Sequence, residues 1–233
     1  MRGWLALQRA RLAHQRHPDL GEISAYCFYA TKLRFRELAF DIGANRGAHT
    51  AQMLNRGARV VAIEPQARLA AHLTESLPAA TVLPIAVSDE PGQAVLHHFR
   101  EGEEFGSLDA GWGALEGEGA LTREGSERVV VKTLDELIDE FGEPALVKID
   151  AEGFDHRVLR GLSRPIEHIL FEVHAARPAD TAAALDRLEE LGRYEYRISP
   201  AETWGYREAK RPDEVLADVP DWGSVYARRL PQA

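Results

Sequence analysis

The sequence contains very little cysteine, since Cys27 is the only one among 233 residues. A single thiol cannot form an intrachain disulfide, and we expect no thiolate metal site. A chain without disulfides is typical of a reducing compartment, so we expect a cytoplasmic protein. Because Cys27 lies among Tyr26, Phe28 and Tyr29, we predict a buried core thiol rather than a nucleophile.

The sequence also lacks long apolar runs and an excess of positive charge. No stretch approaches the roughly 18 apolar residues of a membrane helix, and the apolar stretch from Trp4 to Leu7 is too short for a signal-peptide core. The 28 Lys and Arg residues stand against 37 Asp and Glu, for a formal net charge of −9. Nucleic acids and anionic membranes are bound through basic surfaces, so we expect neither partner.

The length and the 45% hydrophobic content suit one large α/β domain with a full core. We predict an N-terminal helical extension over residues 1–36, with helices at 1–17 and about 20–34. A Rossmann-like domain follows over 37–233, and it carries an insertion at about 92–132.

Predicted strands and helices alternate in the domain, which is typical of a parallel sheet with right-handed crossovers. The strands are almost continuously apolar, as expected where both faces of a sheet are covered. The predicted strands are 38–42, 60–63, 81–87, 145–149, 168–173, 194–198 and 224–228. The predicted helices are 49–55, 66–76, 134–141, 156–162 and 181–191.

The insertion breaks this alternation. Residues 94–99 alternate between apolar and polar side chains, and 128–132 form another short strand, so we predict a β-hairpin. Residues 100–127 between them are rich in Gly and Glu. A stretch of this length without clear structure predicts a lid or a disordered segment.

The most informative motif is the glycine turn after the first strand, Phe40 to Gly47, with the sequence F-D-I-G-A-N-R-G. Gly43 and Gly47 permit a tight turn and a close approach of the backbone to a ligand. A second apolar run ends at Glu64, about 20 residues after the turn, where a carboxylate can accept both hydroxyls of a ribose. The pattern predicts a site for an adenosine-bearing cofactor.

Asp41 indicates which cofactor this is. A dinucleotide-binding turn has the pattern G-x-G-x-x-G and presents a helix N-terminus to a pyrophosphate. Here the glycines are Gly43 and Gly47, and the Asp41 carboxylate would repel a pyrophosphate. It would suit the cationic amino acid end of S-adenosylmethionine, which favours a class I methyltransferase over a dehydrogenase. The alternative is an ordinary strand-turn-helix with a cap-like Asp41.

Polar side chains follow five predicted strands, at the edge of the sheet where ligands bind. They are Asp41, Glu64, Asp89, Asp150 with Glu152, and Glu172 with His174. Asp89 could accept a hydrogen bond from an adenine amino group. Such a convergence on one edge is harder to explain by chance than any single residue.

Four residues near the fourth and fifth strand ends are candidates for catalysis: Asp150, Glu152, Lys148 and His174. Paired acids at the tip of a buried strand cost free energy unless they bind or cap something, and capping of the next helix is the alternative for Glu152. Lys148 can pair with Asp150 or Glu172. His174 is a candidate general base, since imidazoles titrate near neutrality, and a solvated histidine is its alternative.

The same acids are ligand types for a hard divalent metal. No spacing signature supports a metal, so we expect none. The aromatic residues near the C-terminus, Trp204, Tyr206, Trp222 and Tyr226, are predicted to be packing residues, with an acceptor platform as the alternative.

Several segments in this order resemble the FkbM-type S-adenosylmethionine-dependent methyltransferases. The most specific are D-x-G-A-N-x-G at Asp41 to Gly47 and K-I-D-x-E-G at Lys148 to Gly153. The others are Ile63 to Pro65, Ala86 to Asp89, Ser107-Leu108, Val131 to Leu137, Leu159 to Gly161 and Phe171 to His174. The resemblance spans roughly 38 to 174.

The resemblance implies a class I methyltransferase fold, with a doubly wound and mostly parallel seven-stranded sheet, and methyl transfer to a hydroxyl of a sugar or secondary metabolite. The cofactor-binding residues that we expect are Asp41, Gly43, Ala44, Asn45, Gly47, Thr50, Glu64, Pro65, Ala86, Ser88, Asp89 and Asp150. Asp150 would lie between cofactor and acceptor. Phe154 departs from the family pattern, which has a small residue there, so the pocket floor is predicted to differ.

The sequence thus predicts an S-adenosylmethionine-dependent O-methyltransferase with a small-molecule acceptor, and it is compatible with a homodimer. One alternative is an N- or protein-directed methyltransferase, whose amine acceptor would bind to the acidic strand ends. The other is a non-catalytic module that binds the cofactor.

Overall fold

The computed structural model describes residues 18–100, 104–112, 122–200, 203–205 and 208–231. The helix predicted at 1–17 lies outside these residues, and so does Tyr206. The helices are α1 (Pro18–Lys32), α2 (Ala48–Asn55), α3 (Ala67–Ser76), α4 (Leu134–Phe141), α5 (Asp155–Arg160), α6 (Pro178–Leu191) and α7 (Pro212–Ala217). The strands are β1 (Leu38–Ile42), β2 (Arg59–Ile63), β3 (Thr81–Leu83), β4 (Ala86–Val87), β5 (Gly92–Arg100), β6 (Glu104–Ser107), β7 (Thr122–Lys132), β8 (Leu146–Ile149), β9 (His168–Val173), β10 (Tyr194–Pro200) and β11 (Gly223–Arg229).

Seven of these strands form the main sheet, in the order β10-β11-β9-β8-β1-β2-β3. Neighbouring strands from β9 to β3 are parallel, whereas β11 is antiparallel to both β9 and β10. The strand order reverses at β1, which has β2 on one side and β8 on the other. This confirms the predicted doubly wound, mostly parallel sheet and places a crevice at the carboxyl ends of these three strands.

The apolar strands are buried because consecutive residues face opposite sides of a covered sheet. Ala39 packs in one cluster with Phe28 and Tyr29 of α1, whereas Phe40 packs in the other with residues of α4 such as Leu137. Burial on both faces therefore accounts for the accuracy of the predicted strands.

The N-terminus of α4 is also well defined, since a capping box joins Thr133 and Glu136 there.

The predicted strand 81–87 is wrong as a single element. Residues Thr81–Leu83 form β3 and pair with β2, whereas Ala86–Val87 form β4 and pair with β7 of a second sheet. Pro84 lies between them, and a proline has no N–H to donate to a strand ladder. The chain therefore leaves the main sheet at this residue.

The second sheet has four strands in the order β4-β7-β5-β6. The predicted hairpin is confirmed, because β5 and β7 pair antiparallel, and both strands are longer than expected. The prediction of an irregular stretch from 100 to 127 is wrong for β6 (Glu104–Ser107) and for the first half of β7. Phe105 stabilises this region by packing with Phe99 and Trp112.

The prediction of a buried Cys27 is also wrong, since this thiol is exposed. Helix α1 turns Ala25, Phe28 and Tyr29 inwards, at the spacing of one helical face, and Cys27 falls on the opposite side. The short helix α7 was not predicted from the sequence. No helix among the described residues is long and apolar enough to cross a membrane.

Candidate active site

A cavity lies at the carboxyl ends of β1, β2 and β8, where the strand order reverses and where ligands bind in sheets of this kind. Seven residues of the predicted site line it: Gly43, Asn45, Glu64, Pro65, Ala86, Asp150 and Glu152. The cavity therefore joins polar groups from the ends of three neighbouring strands.

Glu64 is a strongly perturbed group in this cavity. Its side chain is buried, with the residue only 3% exposed. One carboxylate oxygen accepts the N–H of Asn45 at 2.8 Å and the other accepts that of Gln66 at 2.9 Å. Burial raises the pKa of Glu64 from 4.5 to about 7, although the two backbone hydrogen bonds favour the charged form. The cavity wall thus carries a carboxyl group whose ionised form is destabilised by burial, and such perturbed groups are typical of functional sites.

The raised pKa of Glu64 predicts a pH dependence of stability. Between about pH 4.5 and about pH 7 the folded protein keeps a proton that the unfolded chain releases, so the stability falls as the pH rises through this interval. Glu64→Gln removes this cost. We expect the stability of the variant relative to the wild type to rise with pH, by up to about 3 kcal/mol from below about pH 4.5 to neutral pH, on top of a constant offset because the amide group of Gln faces a backbone N–H.

Urea unfolding of both proteins, without added ligand, at several values from about pH 5 to about pH 8 measures this difference. A difference between the two proteins that stays constant over the whole range would contradict the raised pKa. Glu140→Gln is the matched control, because the Glu140 carboxylate is an exposed partner of Lys132 and its removal adds little pH dependence.

The glycine turn is pressed against the end of β8. The amides of Gly43 and Ala44 both donate to the carbonyl oxygen of Ile63, at 2.9 and 3.0 Å. Gly43 has a φ of +73°, and a Cβ atom there would lie 1.8 Å from the carbonyl oxygen of Asp150. Gly47 does not line the cavity, since a Cβ there would meet Leu73 of α3 instead. Gly43 therefore permits the close approach of two strand ends, and Gly47 permits helix packing.

Behind the cavity, Lys148 joins the ends of β1 and β8. Its ammonium lies 3.1 Å from Oδ2 of Asp150, 3.6 Å from Oδ1 of Asp41 and 3.2 Å from the carbonyl oxygen of Gly43. Thr50 donates to the other oxygen of Asp41 at 2.6 Å. The predicted pairing of Lys148 with Asp150 is confirmed. Asp41 and Thr50 are completely buried and do not line the cavity, so they support it from behind.

Four acids crowd the ends of β8 and β9. Carboxylate oxygens of Asp150, Glu152 and Glu172 lie within 4.8 Å of one another. The buried Asp155 accepts the backbone N–H groups of Ala151 and Glu172, at 3.2 and 3.1 Å. Burial and then the neighbouring carboxylates raise the pKa of Asp155 to about 7, and burial also raises the pKa of Asp150. This end of the cavity therefore favours ligand groups that carry a positive charge or that share a proton with one of the carboxylates.

His174 lies beside this cluster rather than on the main cavity wall. Its Nε2 is 3.0 Å from Oε2 of Glu172, and the indole N–H of Trp222 donates to Oε1 of the same carboxylate. His174 and Glu172 line a smaller neighbouring cavity. The Glu172 carboxylate thus lies between the indole of Trp222 and the imidazole of His174.

Ser88 and Asp89 line an adjacent cavity, which shares Leu108 and Phe154 with the main one. Asp89 is already engaged, because it accepts hydrogen bonds from Arg157 at 2.8 Å and from the hydroxyl of Ser88 at 2.9 Å. Burial opposes ionisation, but these hydrogen bonds lower the pKa of Asp89. Its contact with an adenine stays a prediction.

Sequence reasoning missed part of the cavity wall: Gln66, Ile85, Val87, Leu96, Gly106 and Leu108. Val87 and Leu108 lie within segments of the family resemblance but were not named as site residues, and the other four belong to no recognisable motif. Most of them come from the broken third strand and the insertion, and Pro84 was the one available signal of that break. Phe154, which departs from the family pattern, does line the cavity.

Comparison with known proteins agrees with this geometry. A family model described as "Methyltransferase FkbM domain" matches residues 41–198. The chain belongs to the FkbM methyltransferase family. This methyltransferase has the class I fold, as the strand order of the main sheet indicates.

The methyltransferase is 27% identical to a protein named "Hexuronic acid methyltransferase AglP" from Haloferax volcanii, over 75% of this chain and 81% of that protein. Among solved structures it is similar to a precorrin-6y C5,15-methyltransferase from Geobacter metallireducens, with 12% identity, a TM-score of 0.48, and 88% and 86% of the two chains covered. A TehB-like methyltransferase from Corynebacterium glutamicum also has 12% identity and a TM-score of 0.48, with 95% and 99% covered.

Proposed function

We propose that this methyltransferase takes its methyl group from S-adenosylmethionine and transfers it to a hydroxyl of a small molecule, most concretely a sugar or a secondary metabolite. The observation that carries the proposal is the Glu64 carboxylate, buried at the wall of a cavity that also presents Asp150 and Glu152. A hydrogen-bond acceptor for ribose hydroxyls and an anionic end for a cationic amino acid are thus found in one cavity.

The residues of the main cavity fit the donor chemically. Glu64 would accept the ribose hydroxyls, and its own hydrogen bonds from Asn45 and Gln66 hold its carboxylate in place. The apolar side chains of Ile85 and Leu96 would cover the adenine. The acids at the end of β8 would favour the positive charges of the amino group and the sulfonium.

The donor would supply an already activated methyl group, so the protein has to orient the acceptor hydroxyl and take up its proton. We assign the proton to His174, because Glu172 holds its ring and compensates the charge that the ring acquires. Asp150, whose pKa is raised by burial, is the second candidate. Lys148 keeps the Asp150 carboxylate beside the cavity.

A sugar acceptor is supported by the relative from Haloferax volcanii, whose name specifies a hexuronic acid. An amine acceptor remains the competing proposal, since crowded carboxylates would bind an ammonium group directly. A panel of neutral sugars, uronic acids and amines, incubated with labelled donor, separates the two. Label that enters only amines would replace the O-methylation proposal.

Calorimetric titration of S-adenosylmethionine and S-adenosylhomocysteine into the wild type and Glu64→Gln tests the donor site. We expect micromolar binding to the wild type and a loss of about tenfold to about a hundredfold in the variant, since hydrogen bonds to a charged group contribute about 1.5–3 kcal/mol. Glu140→Gln should bind like the wild type.

Absence of binding to the folded wild type would refute S-adenosylmethionine as the donor. Equal binding by wild type and Glu64→Gln would refute the assignment of the ribose to Glu64. Micromolar binding of both ligands with no transfer of label from the donor to any acceptor would favour a non-catalytic module that binds the cofactor.

A further inference from the structure

The insertion is joined to the core through residues 104–112, which we call the docking segment. Within it, the buried hydroxyl of Ser107 donates to the carbonyl oxygen of Glu152 at 2.8 Å and accepts the N–H of Asp109 at 3.0 Å. A single side chain thus connects the insertion to the turn after β8. Gly106 and Leu108, the neighbours of Ser107, line the main cavity.

Gly153 makes room for this contact. Its φ is +84°, and a Cβ atom there would lie 2.6 Å from Cδ1 of Trp112 and 2.7 Å from Nη1 of Arg177. Trp112 in turn packs against the rings of Phe99 and Phe105, with centroid distances of 5.7 and 5.6 Å. The missing side chain of Gly153 therefore allows an aromatic cluster of the insertion and an arginine of the core to meet on one turn.

Arg177 connects three parts of the chain. One terminal nitrogen is 2.5 Å from Oδ2 of Asp109, and the other donates to Oδ2 of Asp180 at 3.0 Å and to the carbonyl oxygen of Gly153 at 3.2 Å. Its backbone N–H donates to the carbonyl oxygen of His174 at 2.9 Å. The guanidinium thus joins the docking segment, the turn after β8 and Asp180 of α6, and the backbone of the same residue closes the turn after β9. The side chain of Arg177 is 13% exposed.

We propose that Arg177 is a positioning residue for methyl transfer, which holds the docking segment against the turns that carry Glu152 and His174. This inference rests on the function proposed above. Gly106 and Leu108 line the main cavity together with Glu152, so the placement of the docking segment shapes the space in which an acceptor hydroxyl would be held. A misplaced acceptor slows the reaction steeply, because orientation accounts for a large part of the rate.

The chemistry of the contact requires arginine. A planar guanidinium can donate to several acceptors in fixed directions, whereas a lysine ammonium is a compact point charge. Burial opposes ionisation of Asp109, but the hydrogen bond from Arg177 lowers the pKa of this carboxyl. The ion pair therefore persists over the neutral pH range.

Two variants test the proposal without depending on each other. Asp109→Asn removes the ion pair but keeps the oxygen that accepts the N–H of Gly111 at 2.8 Å, so the local turn can persist. Arg177→Lys keeps the positive charge but loses the planar guanidinium that donates to several acceptors at once. Arg187→Lys is the matched control, because Arg187 lies on α6, the helix that Arg177 precedes, and contacts Leu162 and Glu190 outside the docking segment.

The first measurement is hydrogen exchange of a peptide that covers residues 105–112, without any ligand. We expect exchange to be about tenfold faster in Asp109→Asn and Arg177→Lys than in the wild type or Arg187→Lys, because the amides that are bonded in the docked segment become accessible. Unchanged exchange in both variants would overturn the proposal.

The second measurement is kinetic. We expect kcat/KM for the acceptor to fall by at least about tenfold in both variants, with the Kd for S-adenosylhomocysteine within about threefold of wild type. The double variant should be no slower than the slower single variant, since the two residues act through one contact. Faster exchange with unchanged kcat/KM would overturn the positioning role. A failure of the proposed function is distinguishable, because the wild type itself would then methylate no acceptor.

Discussion

Replacement of Lys148 by Met is expected to lower the free energy of unfolding by about 3–5 kcal/mol. The ammonium is almost fully buried, and it lies between Asp150, Asp41 and the carbonyl oxygen of Gly43. Its removal leaves the completely buried Asp41 with only the hydrogen bond from Thr50. Loss of one partner from a buried ion pair is far more costly than loss of the pair, because the remaining charge stays desolvated.

Urea unfolding of Lys148→Met beside Lys132→Met measures this effect. Lys132 pairs with Glu140 at 2.5 Å, but both side chains are more than 30% exposed, so we expect a loss of less than about 1 kcal/mol there. The double variant Lys148→Met/Asp41→Asn should recover part of the stability. Equal losses at the two lysines would show that the buried network does not stabilise the strand ends.

Replacement of His174 by Gln is expected to lower kcat by about a hundredfold to about ten-thousandfold, the range that a positioned general base contributes. The side chain of Gln keeps polar atoms but takes up no proton at neutral pH. The Kd for S-adenosylhomocysteine should remain within about threefold of wild type, because His174 does not line the main cavity.

His156→Gln is the matched control, since His156 lines the same smaller cavity as His174 but its ring faces Asp180 at 3.9 Å. We expect its kcat to stay near that of the wild type. The acidic limb of the wild-type pH–rate profile should disappear in His174→Gln. A kcat within about threefold of wild type would remove His174 as the base and leave Asp150 as the candidate.

Much of the fold could be predicted because the core strands are buried on both faces. The bounds of β1 and β9 were predicted to the residue, and α4 likewise, since its capping Thr133 and the following Gly142 mark both ends. The prediction of a single third strand was wrong because its apolar residues continue past Pro84, although the pairing partner changes there. Hydrophobicity reports burial, and it does not specify which sheet a strand joins.

The sequence identified cavity-lining residues where a motif lies at the end of a strand. It did not indicate the direction in which a side chain points. Glu64 and Asp150 line the cavity as expected. Asp41 is completely buried and does not line the cavity. In a strand with five buried residues the sequence does not indicate the face on which an acid lies. The contact of Asp41 with the cofactor stays a prediction. The insertion contributes Leu96 and Leu108 through contacts distant in sequence, which no local pattern encodes.

The break at Pro84 has a consequence for protein engineering. Ala86 and Val87 pair with β7 and also line the main cavity. The second sheet therefore begins at β4, before residue 92, where the sequence pattern of the insertion starts. A chimera that exchanges only residues 92–132 with a relative would cut across the β4–β7 strand pair and distort the wall of the main cavity. Crossover points in the loops before β4 and after β7 would transfer an intact module, and the wall of the main cavity would then change together with the insertion.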